Sequence, residues 1–467
     1  MPGWEGDVEY KSRSNVNADG GGGKITLVNK GALKSAMATC LALLLCAAAC
    51  SGGGNAFAAP KTITIGVDLP LTGASQRAGQ STLNGVRFFV QRHQMLDGFN
   101  ITIDARDDAG ATSRDPSRGA ANLQAFIANP QVLAVIGPFD SNIARAQIPV
   151  ANRVHLAMVS PTTSSRCLTK EPFLPAGLNP SRTAIACKAA GLPSPADLRP
   201  TTINNYFRLS TTDDLQGAAA ADYVSKGLHL HRVALVSDNE AYGQGLADSF
   251  SARFTHLGGI VVASQQIDPR TPLDLTKFLE QAKQSGAQGL YYGGSAAGGG
   301  CVVRAQMAGV FGAGEATPFL GGDGIALDPT CVLDAGGNVA GIYATVPTFD
   351  AEQIASAKPV IEAFKAAFGH SRDFGPFTMA AYDATGAVYE ALDRAIKAER
   401  GNRPFRDQVV SALGSPAIFQ GVTGTFGFDP EGDTSRRMVT IYKPVAGSAK
   451  MRWTWVETVD YSAALPY

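Results

Sequence analysis

The chain is predicted to be an α/β protein of two lobes, each built on a mostly parallel sheet with helices on both faces. Three observations predict it. After Pro60, short β-branched runs alternate with amphipathic helical stretches along almost the whole chain, which is the rhythm of βα units. The clearest unit runs from Val132 to Ser164, where two apolar runs, Val132 to Ile136 and Leu156 to Val159, flank a helical stretch ending at Arg153. That order fits two buried parallel strands joined by a crossover helix. Finally, the rhythm falls into two blocks, and the first resumes after the second. Several segments of chain must then cross between lobes, and such lobes can rock and close a cleft.

Taken in order, Thr62 to Val67 is the first expected strand, Leu71 to Gly79 the loop after it, and Ser81 to Met95 a helix. Ile101 to Ala105 is a strand and Asp107-Asp108-Ala109-Gly110 a turn. Pro116 opens the next helix, the position in which proline costs no hydrogen bond. From Arg166 to Thr202 the periodicity fails in a proline-dense span with two cysteines, which marks an ordered surface insertion. It either rims a ligand cleft or decorates the surface. Alternation resumes with strands at Phe207 to Leu209, Val233 to Ser237, Ile260 to Gln265, Leu290 to Gly293, Phe319-Leu320 and Ile342 to Val346. Between the first four lie helices from Asp213 to Lys226, Tyr242 to Leu257 and Leu273 to Ser285. Helices from Ala351 to Phe368 and Phe377 to Arg400 suggest a return to the first lobe, before two closing strands, Met438 to Tyr442 and Arg452 to Val456. The expected organisation is therefore a leader over 1–59, a first lobe from 60–206 and 347–428 with an insertion at 166–202, and a second lobe from 207–346 and 429–460.

Composition excludes some classes. With 45% hydrophobic and 17% charged residues the 467-residue chain can fill real cores, so it is not a disordered protein. Lys plus Arg and Asp plus Glu are 40 each, which leaves no broad basic face for nucleic acid. The partner is then a small molecule or another protein. Lys24, Lys30 and Lys34 precede an apolar run from Ala36 to Ala49, the pattern of an export signal, and the run is short for a membrane span. Two processing routes compete: Ala47 to Gly54 resembles the lipoprotein box, which would place a lipid on Cys50, whereas Ala56-Phe57-Ala58 suits an ordinary signal peptidase. Either gives an exported protein, periplasmic or held at the cell surface, touching the membrane only through a lipid anchor. Cys167, Cys187, Cys301 and Cys331 remain after the leader. In an exported chain they suggest two disulfides, most simply Cys167 with Cys187 and Cys301 with Cys331 out of three possible pairings. Isolated buried thiols are the alternative.

The candidate site lies in the Val132 to Ser164 unit. Its two turns, Gly137-Pro138-Phe139-Asp140-Ser141 and Ser160-Pro161-Thr162-Thr163-Ser164, open at the same carboxyl edge of a sheet, where open α/β sheets bind small ligands. A helix N-terminus with free N–H groups beside Ser and Thr oxygens suits a carboxylate. Helix capping is the competing use of the same residues. No general base or metal ligand accompanies them, so holding an anion is favoured over transforming it. Other motifs fail. Gly243-Gln244-Gly245 has Asp248 where a dinucleotide loop needs its third glycine, and Gly293-Gly294-Ser295-Ala296-Ala297 lacks the last glycine of a nucleophile elbow. The six histidines are scattered, and neither a metal nor a cofactor is implied.

Several stretches, in their order and spacing, resemble the periplasmic leucine/isoleucine/valine-binding protein family of ABC importers, the type I solute-binding proteins. They are Leu71-Thr72-Gly73, Val135-Ile136-Gly137, Ser160-Pro161, Tyr242 to Ala247, Tyr291-Tyr292-Gly293-Gly294 and Gly321-Gly322-Asp323-Gly324. The resemblance covers roughly Lys61 to Glu457 apart from the insertion. It implies the periplasmic-binding-protein type I fold, two Rossmann-like lobes with parallel sheets joined by a multi-stranded hinge. It also implies a ligand carboxylate on Ser141, Thr162, Thr163 and Ser164, an amino group on Asp323, and Tyr242, Tyr291 and Phe139 as cleft walls, with Tyr292 on the opposite face of its strand. One departure stands out: the family often carries a Tyr in the first loop where this chain has Ala78, next to Arg77. The pocket is then larger, or Arg77 meets a second acidic group on the ligand. The implied function is a monomeric, non-enzymatic binding protein that delivers an amino acid or related zwitterion or amide to an ABC permease. Two alternatives keep other outputs open: a ligand-sensing domain of a receptor system, and an exported hydrolase using Ser141 or Ser295.

Overall fold

The computed structural model describes residues 61–466, apart from 111–114, 179–182, 269, 313, 327–338, 370–373 and 446–452. The leader with Cys50, and Cys331, lie outside the described residues. Strands β1 (Lys61–Leu69), β2 (Met95–Leu96), β3 (Phe99–Asp107), β4 (Val132–Ile136), β5 (Ala157–Ser160) and β6 (Tyr206–Arg208) form one sheet in the order β2-β3-β1-β4-β5-β6. All but β2 run parallel. In the other sheet lie β7 (Arg232–Ser237), β8 (Ile260–Gln266), β9 (Gly289–Gly293), β10 (Phe319–Gly321) and β11 (Ile342–Val346). A separate hairpin, β12 (Phe419–Gly421) and β13 (Gly424–Phe426), comes next in the chain. The last strands, β14 (Met438–Pro444) and β15 (Trp453–Asp460), add antiparallel to β11, giving the order β15-β14-β11-β10-β9-β7-β8.

Strand position explains strand composition. β4 lies inside its sheet and every residue of Val-Leu-Ala-Val-Ile is buried, because helices cover both faces. β8 lies at an edge, and its Ser-Gln-Gln end is largely exposed, as an edge that must not pair further should be. One face of the first sheet packs on helices Gln76–Arg92, Thr378–Ala398 and Arg406–Gly414, and the other on Pro116–Ala128 and Ser141–Arg153. The second sheet packs on Thr276–Gln284 and Gly300–Phe311 on one side, and on Asp213–Asp222 and Ala241–His256 on the other.

Among the described residues the chain passes between the sheets three times, and the crossings are knit together. Thr211 N donates to Pro347 O at 2.8 Å and its hydroxyl to Met438 O at 2.7 Å. The Thr440 hydroxyl donates to Thr348 O at 2.8 Å, and Arg208 N to Gly432 O at 2.9 Å. Beside them Arg208 is fully buried, with Nε on Asp433 at 2.7 Å and Nη1 on Ser165 O at 2.8 Å. The Asp433 carboxyl is held well below the usual range: burial opposes its ionisation, but the Arg208 and Lys170 charges outweigh it.

Several expected boundaries move. The expected division between 206 and 207 falls inside β6, which pairs with β5 in the first sheet. Its apolar pattern is the same in either sheet, so only the pairing decides. The first helix begins at Gln76, which puts Arg77 and Ala78 in its opening turn and not in a loop. The helix expected from Ala351 starts only at Lys358, where Pro359 occupies the first turn, and two 3-10 turns precede it. Helices Gly300–Phe311 and Arg406–Gly414 and the β12–β13 hairpin were not expected: a glycine run and short mixed segments give no clear period.

Among the described residues, the insertion packs its apolar side chains against the second lobe. Its Phe173, Leu174, Leu178 and Leu192 pack with Ala218, Ala241 and Ala252 of the second lobe's helices. Arg166 pairs with Asp214 at 2.7 Å, Lys170 with Asp429 and Asp433, and Arg199 Nη2 donates to Glu431 O at 3.3 Å. A disulfide joins Cys167 to Cys187, as expected. Cys301 is also disulfide-bonded, while Cys331, the partner expected for it, lies outside the described residues.

Candidate functional site

Because β1, β3, β4 and β5 are parallel, the turns that follow them open at one edge, and the turns after β7, β9 and β10 open likewise from the second sheet. A cleft lies between the two edges. The space between them is about 770 Å3 when the part open to solvent is counted. The first lobe contributes Arg77, Asp108, Phe139, Ser141 and Thr162 to Ser164, and the second Tyr242, Ser295, Asp323 and Gly324.

The first wall is a cradle of hydroxyls and backbone N–H groups. Gly137 ends β4 at φ 117° with the backbone of Asp68 so close that a Cβ would sit 2.3 Å from its oxygen, so only glycine lets the turn begin there. Asp140 then caps the helix Ser141–Arg153 by accepting from Asn142 N at 2.8 Å, and the N-terminus of that helix, with Ser141, faces the cleft. Ser160, at the end of β5, ties the second turn to the first: its hydroxyl donates to Pro138 O at 2.8 Å and accepts from Thr163 N at 3.0 Å. Thr162 donates to Phe139 O at 2.8 Å, and Ser165 N donates to the Ser141 hydroxyl at 3.3 Å. Arg208 grips the carbonyls of Thr163 and Ser165 from behind. These contacts fix the shape of the first wall.

On the opposite wall Asp323 accepts at its Oδ1 from the Tyr242 hydroxyl at 2.7 Å and from Gln216 Nε2 at 2.9 Å, and Gly324 N donates to the same tyrosine oxygen at 3.0 Å. Burial, with Asp323 beside it, raises the Tyr242 phenol well above its ordinary range, so it stays a donor. Beneath the cradle lies Asp213, fully buried. Burial pushes its carboxyl well up, and the Ser164 hydroxyl and the Arg208 charge offset this only in part. Across the mouth, Asn142 Nδ2 donates to Glu240, which joins the two lobes.

Of the residues singled out from sequence, Ser141, Thr162, Thr163, Ser164, Asp323, Tyr242, Phe139 and Arg77 line this one cleft. Tyr291 does not. It is buried in the second lobe, its ring stacked on Phe250 with centroids 3.9 Å apart, because β9 is an inner strand covered on both faces. Tyr292, on the other face, is buried too. The Ser295 hydroxyl accepts from Gly298 N at 3.0 Å, a turn-closing contact, and no histidine lines the cleft among the described residues. Among the described residues no group of His, Cys, Asp and Glu could hold a metal ion. Sequence reasoning missed Asp108, Asp140 and Gln216. The Asp107-Asp108 pair directly after a strand was a signal for the first, but no local feature marks Gln216, which reaches Asp323 from another element.

A sequence model of the family described as "Periplasmic binding protein" matches residues 62–449. Among curated proteins, the Leu/Ile/Val-binding protein homolog 3 of Brucella melitensis biotype 1 is 28% identical over 393 residues, 84% of this chain and 93% of its own. Among solved structures, the leucine binding protein LivK of Thermotoga maritima MSB8 superposes with a TM-score of 0.67 at 21% identity, over 85% of this chain and 99% of that one. A solute binding protein of an ABC transporter from Rhodopseudomonas palustris BisB5, in complex with 3,4-dihydroxy benzoic acid, gives 0.65 at 19% identity, over 85% and 97%.

Proposed function

The chain belongs to the periplasmic binding protein family and has its type I fold, and from that premise we propose that it is an extracytoplasmic solute-binding protein of an ABC importer. Its ligand is an amino acid or a related small carboxylate, held by closure of the two lobes. One observation carries the reading: a wall of hydroxyls and a helix N-terminus, suited to a carboxylate, lines the same cleft as an acid, Asp323, on the other wall. A zwitterion has the matching charges at its two ends, and each end gains most when both walls are in reach. Such a ligand favours the closed form by the difference in contacts, which is what shifts the population. The curated relative's name, Leu/Ile/Val-binding protein, agrees with an amino acid.

The first lobe in this proposal ends after β6 and resumes from 347 to 428, and the second takes the rest of the described chain. The reading is of a binding protein: among the described residues no histidine lines the cleft beside Ser141 and Ser295 to act as a base. Exported and tethered through a lipid on Cys50, the protein would present the closed lobes to a permease as a monomer.

A melting screen of amino acids and small carboxylates tests this. At a hundredfold excess over its dissociation constant, a true ligand stabilises the protein by roughly 2.7 kcal/mol and raises the midpoint. Asp323→Ala should remove that rise for amine-bearing ligands and keep it for carboxylates without an amine. A rise unchanged for leucine would remove Asp323 from the amine contact, and a flat panel would count against the binding reading itself.

A further inference from the structure

We propose that Asp108 reads the far end of the ligand, so that the preferred solute carries a hydroxyl or carboxamide there and not a plain hydrocarbon. The inference rests on the binding-protein reading and deepens it. Asp108 lines the cleft, has no exposed surface, and neither of its carboxyl oxygens has a hydrogen-bond partner among the described residues. Its neighbours are satisfied. Asp68 accepts from Asn122 Nδ2 at 2.7 Å and from Gln147, and Asp107 accepts from Leu71 N at 2.7 Å and Ala109 N at 3.1 Å. A buried polar group without a partner is costly, and one that faces a ligand cleft is relieved when the ligand supplies the partner.

Sheet order says which part of the ligand arrives there. Asp108 follows β3, while Ser141 follows β4, two strands away in the order β3-β1-β4 and so about 10 Å along the sheet edge. A ligand whose carboxylate sits at Ser141 reaches Asp108 only with its side chain. The cleft lining includes the apolar side chains of Phe139, Ile143, Ala74 and Ala78 alongside Ser75, Arg77 and Asp140. Burial, together with the charges of Asp68, Asp140 and Asp107, keeps the Asp108 carboxyl protonated well above its ordinary range. A neutral carboxyl offers one donor and one acceptor, the complement of a carboxamide or a hydroxyl. A methyl group meets neither.

Calorimetric titration of same-shape pairs decides it: asparagine against leucine, threonine against valine, and 4-hydroxybenzoate against benzoate. In the natural protein the polar member of at least one pair should bind about tenfold more tightly or better, the scale of one met buried hydrogen bond. Asp108→Leu should erase that advantage, and Asp108→Asn, which keeps a donor and an acceptor, should retain it. Asp108→Ala repeats the test if circular dichroism finds the leucine variant unfolded. The proposal is overturned if the hydrocarbon member binds as tightly in every pair, or if the polar advantage survives Asp108→Leu and Asp108→Ala. Tight leucine binding without polar advantage removes this inference and leaves the binding reading standing, whereas a panel with no binder removes both.

Discussion

Arg208 is the residue on which most of the interior polar chemistry converges. It has no exposed surface, yet it carries a guanidinium whose nitrogens meet Asp433, the carbonyls of Thr163 and Ser165, and the Thr169 hydroxyl. A fork of fixed donors suits such a junction in a way that a lysine does not. Removing one partner of a buried pair leaves the other charge uncompensated, so Arg208→Met is predicted to cost about 3–5 kcal/mol in urea unfolding. Adding Asp433→Leu to it should recover part of that loss, because the orphaned charge goes too. A double variant no more stable than Arg208→Met would argue that Arg208 acts mainly by holding the turn. At this scale the sequence disclosed Ser141 and Thr162 to Ser164, since hydroxyls in a turn after a buried strand have few places to point. It gave no sign of the pairs Arg208 with Asp433 or Gln216 with Asp323, whose members lie more than a hundred residues apart.

Among elements, the insertion shows how a segment without periodicity can still be structurally decisive. It leaves the first sheet after β5, packs its apolar residues on helices Asp213–Asp222 and Ala241–His256, and returns to β6. It therefore straps the region where the chain crosses between lobes. The Cys167–Cys187 bridge closes a loop of 20 residues, worth roughly 3 kcal/mol in the chain-entropy model. Replacing both with serine should lower stability by about that much, read as a fall in the melting midpoint under non-reducing conditions. Reducing the natural protein should then move its midpoint at least as far, since Cys301 also holds a disulfide. An unchanged midpoint in the serine variant would mean that the apolar contacts alone hold the strap. The strand and helix rhythm was legible because alternate burial imposes a period, whereas the insertion and the 3-10 turns before Lys358 impose none.

For the whole molecule the proposed function requires the two lobes to close about the segments that cross between them. Asn142 of the first lobe donates to Glu240 of the second, so the described arrangement has its mouth drawn together. Saturating ligand is predicted to lower the radius of gyration measured by small-angle X-ray scattering, relative to the ligand-free protein. The drop should be smaller for Asn142→Ala if this contact contributes to the closed form. Identical scattering curves with and without a ligand proven to bind would contradict closure.

Periodicity, punctuation and a few ordered motifs in the amino-acid sequence were enough to determine the α/β class, two blocks of βα units and the turns that line the first wall. These are local properties: an apolar run of five residues between turn formers has one economical fate, and the groups that follow it must face the sheet's edge. Tertiary structure alone decided that β6 belongs to the first sheet, that Tyr291 is core, that the insertion bridges lobes and that Asp108 lines the cleft. Each depends on which distant surfaces come into contact, and contact free energy is set by shape and desolvation across the fold, which no stretch of neighbouring residues records.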